Sequence, residues 1–140
     1  MSRMDVEAGR AWQLLVKFFF AQREQLPPPG GELELSPAQC HLLHLIDPER
    51  PAPMGRLAGT LGCDASNVTG LVDRLEARGL VRRRPSAEDR RVKVIQLTPA
   101  GSRLRAQLLR RMTGSCRLAR LSARDQQSLV RILEALVGDA

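Results

Sequence analysis

Small hydrogen-bonding side chains occur at helical spacing between Ser66 and Arg74. The apolar residues of this segment predict one buried helical stripe, made of Val68, Leu71, Val72 and Leu75. The other side then carries Ser66, Thr69, Gly70, Asp73 and Arg74, with Asn67 on the flank. Such side chains at the start of a helix suit hydrogen bonds to base edges and phosphates in a DNA major groove. A merely solvated face would be richer in Glu and Lys, so we favour DNA contact.

A basic segment, Asp89-Arg90-Arg91, follows this helix. The residues on either side, 80–84 and 91–97, have strand composition and predict a β-hairpin wing with a polar loop. Arginines at the tip of such a hairpin suit the adjacent minor groove, whose negative potential attracts cations. Asp89 precedes Arg91 by two residues and is expected to hold its guanidinium in one orientation. The wing residues predicted to take part in DNA binding are Arg84, Asp89, Arg90 and Arg91, and a solvated charged turn is the alternative.

The segment before the polar helix predicts a partner helix over residues 54–61. Ala58 is small enough for two helices to cross, and Gly62 provides the turn between them. The apolar positions that lock the two helices together are Leu57, Leu61, Cys63, Val68 and Leu71. Asp64 is the expected N-cap of the second helix, which runs over about 65–78. A generic helical hairpin would show a similar pattern in this window and stays the alternative.

Further helices flank this helix-turn-helix. The first is predicted over residues 4–26, before the Pro27–Gly31 linker. Another begins at Ser36-Pro37, where serine caps and proline takes the first helical position, and ends at Asp47-Pro48.

After the hairpin, Thr98-Pro99 begins a helix in the same way, and Gly114-Ser115 is expected to bend or interrupt it. Ser122 begins the last helix, with Asp125 as a capping partner. Its apolar stripe is Leu129, Ile132, Leu133, Leu136 and Val137.

The terminal helices have apolar faces that the centre alone does not cover, and pairing with a second copy is the simplest solution. We therefore expect a mainly α fold with a small β-hairpin wing. In it, dimerisation helices in residues 1–34 and 99–140 flank a winged helix-turn-helix at 35–98.

The chain is strongly basic, with a net charge of +7 and a pI near 10.8. All of its 22 basic residues except Lys17 and Lys93 are arginine, which binds phosphate and guanine in a forked geometry. Between Arg74 and Lys93, eight basic residues accompany three acidic ones, as expected of a nucleic-acid face. No apolar run is long enough to span a membrane, and the N-terminal residues do not form a secretory signal. We expect a cytoplasmic protein with no membrane partner.

Chemistry of other kinds has little support. No P-loop, dinucleotide-binding, nucleophile-elbow or zinc-protease motif occurs, so we expect no enzyme and no cofactor. Cys40 and His44 lie four residues apart and could supply two metal ligands, but no clear third and fourth ligand exists. We therefore prefer a small buried cysteine beside a semi-buried histidine and expect no metal. Cys63 is expected to be buried and unreactive, while thiol sensing through Cys40 or Cys116 stays open.

These motifs resemble the MarR family (multiple-antibiotic-resistance regulators) over essentially the whole chain. The resemblance rests on Leu35-Ser36-Pro37-Ala38-Gln39, Leu57-Ala58, the run from Ser66 to Val81, and Asp89-Arg90-Arg91 followed by Leu97-Thr98-Pro99-Ala100-Gly101.

The resemblance implies a homodimer, built from the first and last two helices, that reads a pseudo-palindromic operator in double-stranded DNA. By the same resemblance, Ser66, Asn67, Thr69, Gly70 and Arg74 are major-groove and phosphate contacts. Arg91 becomes the minor-groove reader, oriented by Asp89. Such proteins are typically repressors that a small ligand or an oxidant releases from DNA. The residues predicted to line the ligand pocket are Trp12, Cys40 and His44. The alternative functions are a winged-helix module for protein contacts and a nonspecific architectural DNA-binding protein.

Overall fold

The computed structural model describes residues 2–23, 34–62 and 65–138. The predictions for the end of the first helix, the Pro27–Gly31 linker, Cys63 and Asp64 lie outside the described residues.

The elements follow one another in the predicted order. They are α1 (Arg3–Arg23), α2 (Pro37–Leu45), β1 (Ala52–Pro53), α3 (Met54–Leu61), α4 (Ala65–Ala77), β2 (Val81–Pro85), β3 (Lys93–Leu97), α5 (Pro99–Ser115), a 3₁₀ helix (Arg117–Arg120) and α6 (Ala123–Val137). The mainly helical fold with a small antiparallel sheet confirms the predicted fold class. The sequence pattern does not predict β1 or the 3₁₀ helix.

The chain forms two compact units. The first contains Met1–Leu26 and Arg111–Ala140, and the second contains Pro27–Arg110. Helix α5 therefore begins in the second unit and ends in the first. The division into parts at residues 34/35 and 98/99 stays a prediction.

The second unit is built around one apolar core. The predicted stripe of α4 faces this core, because Val68, Val72 and Leu75 are completely buried and Leu71 nearly so. Burying an aliphatic side chain of this size contributes roughly 1.5–3 kcal/mol. The other helices and the sheet complete the core with Leu35, Cys40, Leu42, Leu43, Ile46, Leu57, Val81, Ile95 and Leu97.

The sheet has three antiparallel strands in the order β1-β3-β2. The hairpin strands β2 and β3 pair from Val81 opposite Leu97 to Pro85 opposite Lys93. The short strand β1 pairs with the other edge of β3, placing Ala52 opposite Ile95. The sequence does not indicate this strand because Ala52 has a proline on both sides, and proline is tolerated only at sheet edges.

Side-chain caps and one glycine set the helix boundaries. The hydroxyl of Ser36 accepts the N–H of Gln39 at 3.2 Å, and the Gln39 side chain accepts the N–H of Ser36 at 2.8 Å. At the start of α6, the Ser122 hydroxyl accepts the N–H of Asp125 at 3.1 Å, which confirms the predicted cap. Gly62 ends α3 with φ 62°, the left-handed conformation expected for the turn.

The start of α5 is locked to the turn that precedes β2. Thr98 donates its hydroxyl to the carbonyl of Gly79 at 2.6 Å and its N–H to the carbonyl of Leu80 at 3.1 Å. The same hydroxyl accepts the N–H of Gly101 at 3.0 Å. A methyl group on Gly101 would lie 1.9 Å from the Leu80 carbonyl oxygen, so only glycine fits there.

The first unit leaves large apolar side chains exposed along two helices. On α1, Trp12 is 68% exposed, and Phe19 and Phe20 are more than half exposed. On α6, the predicted stripe is open to solvent, with Leu136 at 68% and Val137 at 73%. No helix in the described part of the chain is long and apolar enough to cross a membrane.

Candidate nucleic-acid interface

The first turns of α4 present the polar surface that the sequence predicts. Asn67, Thr69 and Arg74 are exposed, and Gly70 is half-buried. A methyl group on Gly70 would meet no described atom within 4 Å, so this part of the surface is open to close approach. Ser66 falls in the first turn of the helix, while its side chain lies outside the described part. The DNA contacts of these residues stay predictions.

The β2–β3 hairpin presents the predicted basic wing. Arg84, Arg90 and Arg91 are exposed at and near its tip. The loop is closed by the N–H of Ser86, which donates to the carbonyl of Val92 at 2.8 Å. The loop is therefore a structured turn that carries its arginines outward.

Asp89 holds the backbone of the wing rather than the side chain of Arg91. Its Oδ1 atom accepts the backbone N–H of Arg91 at 3.0 Å, and its carbonyl oxygen accepts the N–H of Val92 at 3.0 Å. The expected contact with the Arg91 guanidinium is absent. Aspartate readily bonds to an N–H two residues ahead in this way, which stabilises a turn. Asp89 thus positions the arginine through the main chain.

Arg83 is a member of this surface that sequence reasoning missed. Its guanidinium forms ion pairs with Asp73 and, at 2.7 Å, with Glu76 of α4. The Glu76 carboxylate also accepts the backbone N–H of Arg83 at 2.9 Å. Asp73 and Glu76 are three residues apart, and this spacing on one helix face is the sequence signal that could have revealed the site.

This network shifts the acid–base equilibria of both partners. The backbone N–H of Arg83 is the main cause that lowers the pKa of Glu76 from its ordinary value. Partial burial by itself lowers the pKa of Arg83, but its hydrogen bonds to Asp73 and Glu76 outweigh that effect and raise it. Glu76 is therefore ionised and Arg83 charged at neutral pH, and the wing is tied to α4 by charge-assisted bonds.

A second arginine of the basic cluster also serves the fold. Arg78 donates from Nη1 to the carbonyl oxygen of Glu34 at 3.0 Å. Glu34 has a positive φ of 50°, uncommon for a residue other than glycine, and this bond helps to hold the segment before α2. Arg78 and Arg83 of the basic cluster thus both have partners within the protein.

Cys40 and His44 lie one turn apart on α2, next to α5. Cys40 is buried, and burial raises the pKa of its thiol, which disfavours the reactive thiolate. Burial, followed by the charge of Arg105, lowers the pKa of His44, so its imidazole is neutral at pH 7. Arg105 donates to the carbonyl oxygen of His44 at 3.2 Å. The buried His44 Nε2 and Arg105 Nε atoms have no hydrogen-bond partner among the described residues.

The remaining predicted pocket residue belongs to the other unit. Trp12 lies on α1 in the first unit, so a pocket shared by Trp12, Cys40 and His44 stays a prediction. Within the described ranges, no group of three His, Cys, Asp or Glu side chains could hold a metal ion. Cys116 is buried, and its Sγ atom accepts the N–H of Leu118 at 3.5 Å.

The comparison with known proteins agrees with this geometry. The MarR family model matches residues 35–93, which include α2 to α4 and the wing. Through this segment, which is less than half of the chain, the protein is similar to the MarR family. A curated relative is an uncharacterised HTH-type transcriptional regulator, YfiV, of Bacillus subtilis (strain 168). The two are 42% identical over 67 residues, which are 48% of this chain and 42% of the relative's own length.

Solved structures extend the similarity beyond the wing. A MarR family transcriptional regulator from Silicibacter pomeroyi matches with a TM-score of 0.74 and 24% identity, covering 93% of this chain and 89% of that one. CouR from Rhodococcus jostii RHA1, solved with p-coumaroyl-CoA bound, matches with a TM-score of 0.69 and 25% identity over 91% of both chains. The protein therefore shares their winged helix fold.

Proposed function

We propose that this protein is a sequence-specific DNA-binding transcriptional regulator. It acts as a homodimer on a pseudo-palindromic site and represses its target until a small ligand or an oxidant releases it. The observation that carries the proposal is one surface of the second unit, in which the start of α4 and the wing are held together. There the open polar start of α4 and the basic wing are tied together by Arg83. The names of the relatives, which are transcriptional regulators, support the same function.

The geometry suits two kinds of DNA contact at once. A helix with small polar residues near its N-terminus reaches base edges in a major groove, and a basic hairpin reaches the neighbouring minor groove. Asn67 and Thr69 are the exposed side chains for the first task, and Arg91 is the one for the second. Arg74, Arg84 and Arg90 add exposed positive charge for phosphate contacts.

The homodimer is supported by the apolar surface of the first unit. Trp12, Phe19, Leu136 and Val137 are each more than half exposed, so two helices of one chain carry unburied apolar faces. Exposed apolar surface of this extent marks an interface. A second copy with the same faces would bury both sets by two-fold symmetry, which also explains a two-fold DNA site.

A small-molecule effector is supported by two unpartnered buried nitrogen atoms in the second unit and by one relative. The two buried nitrogen atoms of His44 and Arg105 lack partners, and such atoms are costly unless something satisfies them. CouR was solved with p-coumaroyl-CoA, an anionic ligand. Release by an oxidant is the other possibility, and the burial of Cys40 makes that residue the weaker sensor.

Titration against DNA from the region upstream of the gene tests the proposal. Specific binding should persist as salt rises from about 50 to 200 mM, whereas binding to a scrambled duplex should fade by several orders of magnitude. Arg91→Ala should weaken specific binding by roughly 1–3 kcal/mol. The matched control is Arg3→Ala, which removes an exposed arginine from α1 in the first unit.

Other outcomes would favour the alternatives. Equal affinity for upstream and scrambled DNA at every salt concentration would indicate a nonspecific architectural protein. No DNA binding at low salt would favour a winged-helix module for protein contacts.

A further inference from the structure

The chain carries a second concentration of positive charge outside α4 and the wing. Residues 99–124 contain seven arginines and no aspartate or glutamate. The other 15 basic residues of the chain are equal in number to its acidic residues. One segment of α5, the 3₁₀ helix and the start of α6 thus accounts for the whole excess of +7. Reading an operator with α4 and the wing does not explain this concentration.

Three of these arginines lie within eight consecutive residues of the first unit, and we term them the arginine patch: Arg117, Arg120 and Arg124. All three are exposed, and none makes an ion pair with a carboxylate of the described residues. Arg117 and Arg120 begin and end the 3₁₀ helix. A 3₁₀ helix has three residues per turn, so these two side chains lie on the same face.

The backbone under the arginine patch is firmly held. The Gln126 side chain of α6 donates to the carbonyl oxygens of Leu118 at 3.2 Å and Leu121 at 3.1 Å. Leu121 in turn donates its N–H to Leu118 at 3.2 Å. These bonds join the 3₁₀ helix to the start of α6. The arginine patch is therefore presented by a pre-arranged segment rather than by a loose tail.

Fold stability does not account for the arginine at the start of α6. Arg124 is the second residue of that helix, where the helix dipole disfavours a positive charge. The neighbouring Asp125 forms no ion pair with Arg124, and its carboxylate accepts the hydroxyl of Ser122 at 2.7 Å. A cation kept at an unfavourable position, beside two more exposed cations, indicates an external anionic partner.

We propose that the arginine patch binds the phosphate backbone of a second DNA segment while the wing and α4 hold the first. Arginine binds phosphate with forked, charge-assisted hydrogen bonds. A membrane surface fits less well, because the chain has no aromatic residue after Phe20 to anchor in the lipid interface. The inference rests on the proposed function only in that a DNA-binding protein already has DNA phosphates close by.

A capture assay with the full chain tests this inference. A duplex from the upstream region is immobilised and loaded with protein, unbound protein is washed away, and a labelled random-sequence duplex is added. Wild-type protein should retain the second duplex. The triple variant Arg117→Gln/Arg120→Gln/Arg124→Gln should lose roughly 10-fold of this capture while binding the first duplex as before. The matched control Arg3→Gln/Arg50→Gln/Arg131→Gln removes three other exposed charges and should capture like wild type.

A single variant separates binding from a structural role. Arg124→Gln should capture about 2–3-fold less second duplex, yet its Tm should be unchanged or higher because an unfavourable helix-dipole contact is removed. Undiminished capture by the triple variant would overturn the inference, as would an equal loss in the control. Displacement of the second duplex by phosphatidylserine vesicles, with the same arginine dependence and at lower concentration than competing DNA, would assign the patch to membranes instead. Failure of the protein to load on the first duplex would count against the proposed function, not against the patch.

Discussion

The guanidinium of Arg83 on β2 contacts the carboxylate of Asp73 on α4. Asp73 lies on the exposed face of the helix proposed to read the major groove, and Arg83 stands in the first strand of the wing. The contact therefore joins the two parts of the proposed DNA-reading surface. With Glu76 as its second partner, Arg83 bridges two turns of the helix.

Arg83→Gln should lower the free energy of unfolding by about 1 kcal/mol, since the ion pairs are partly exposed and screened by water. It should also weaken DNA binding, because the wing is no longer fixed relative to α4. Urea unfolding and DNA titration measure the two effects. Arg82→Gln is the matched control, since Arg82 is the neighbouring exposed arginine. Equal effects of the two substitutions would contradict a special role for Arg83.

Stability should fall in acid partly through Glu76. Because its pKa is lowered in the folded protein, the carboxylate stabilises the fold above its ordinary value of 4.5. That contribution is lost as the pH falls through the lowered pKa. Thermal unfolding is measured from about pH 7 to pH 3. The free energy of unfolding should decline less for Glu76→Gln than for wild type, by up to about 1 kcal/mol. Parallel declines would show that Glu76 is not linked to folding.

Two substitutions distinguish the hydrogen bond that Asp89 accepts from its charge. Its carboxylate accepts the backbone N–H of Arg91, and an asparagine oxygen can accept the same bond. Asp89→Asn should therefore bind DNA at least as tightly as wild type, whereas Asp89→Ala should weaken binding by about 1 kcal/mol. DNA titrations under matched salt measure both. Equal losses for the two variants would instead point to the charge of Asp89.

Substitution by alanine should have opposite effects on stability at Gly101 and at Gly114. A methyl group on Gly101 would overlap the Leu80 carbonyl oxygen, so Gly101→Ala should destabilise the protein by roughly 2–4 kcal/mol. Gly114, in the same helix, has open space around it, and Gly114→Ala should stabilise by up to about 1 kcal/mol. Chemical unfolding of both variants gives the comparison. A mild effect at Gly101 would rule out the close packing of α5 against Leu80.

The proposed dimer should separate when a charge enters its apolar face. Wild-type protein should sediment at twice the chain mass of 15.5 kDa. Leu136→Arg should raise the dimer Kd by about 100-fold, because an unpaired charge would be buried in the interface. Val92→Arg makes the same change at an exposed apolar residue of the second unit and should stay dimeric. Analytical ultracentrifugation distinguishes these states. A dimeric Leu136→Arg protein would show that the interface does not include Leu136.

Local signals in the sequence predict much of this fold. Ser36-Pro37, Gly62, Thr98-Pro99 and Ser122 act within one helical turn, and the helices begin or end where these residues place them. The stripe of α4 is equally visible, because burial of one helix face requires apolar residues at helical spacing.

What the sequence does not predict depends on contacts between distant residues. The pairing of Ala52 with Ile95 forms β1 although prolines flank Ala52. Arg83 looks like any other arginine of its cluster until β2 is placed beside α4. The spacing of Asp89 and Arg91 predicts a contact between their side chains, but the carboxylate bonds to a backbone N–H rather than to a guanidinium. Sequence spacing alone does not distinguish those two partners.

The lock between Thr98, Gly101 and the Gly79–Leu80 turn limits how α5 can move. With the Leu80 carbonyl pressed against the helix at Gly101, its first turn has no room to slide along β2. The residues bonded to Thr98 lie directly before the first strand of the wing. A displacement of the start of α5 would therefore be passed to the wing, and with it to the proposed DNA contacts.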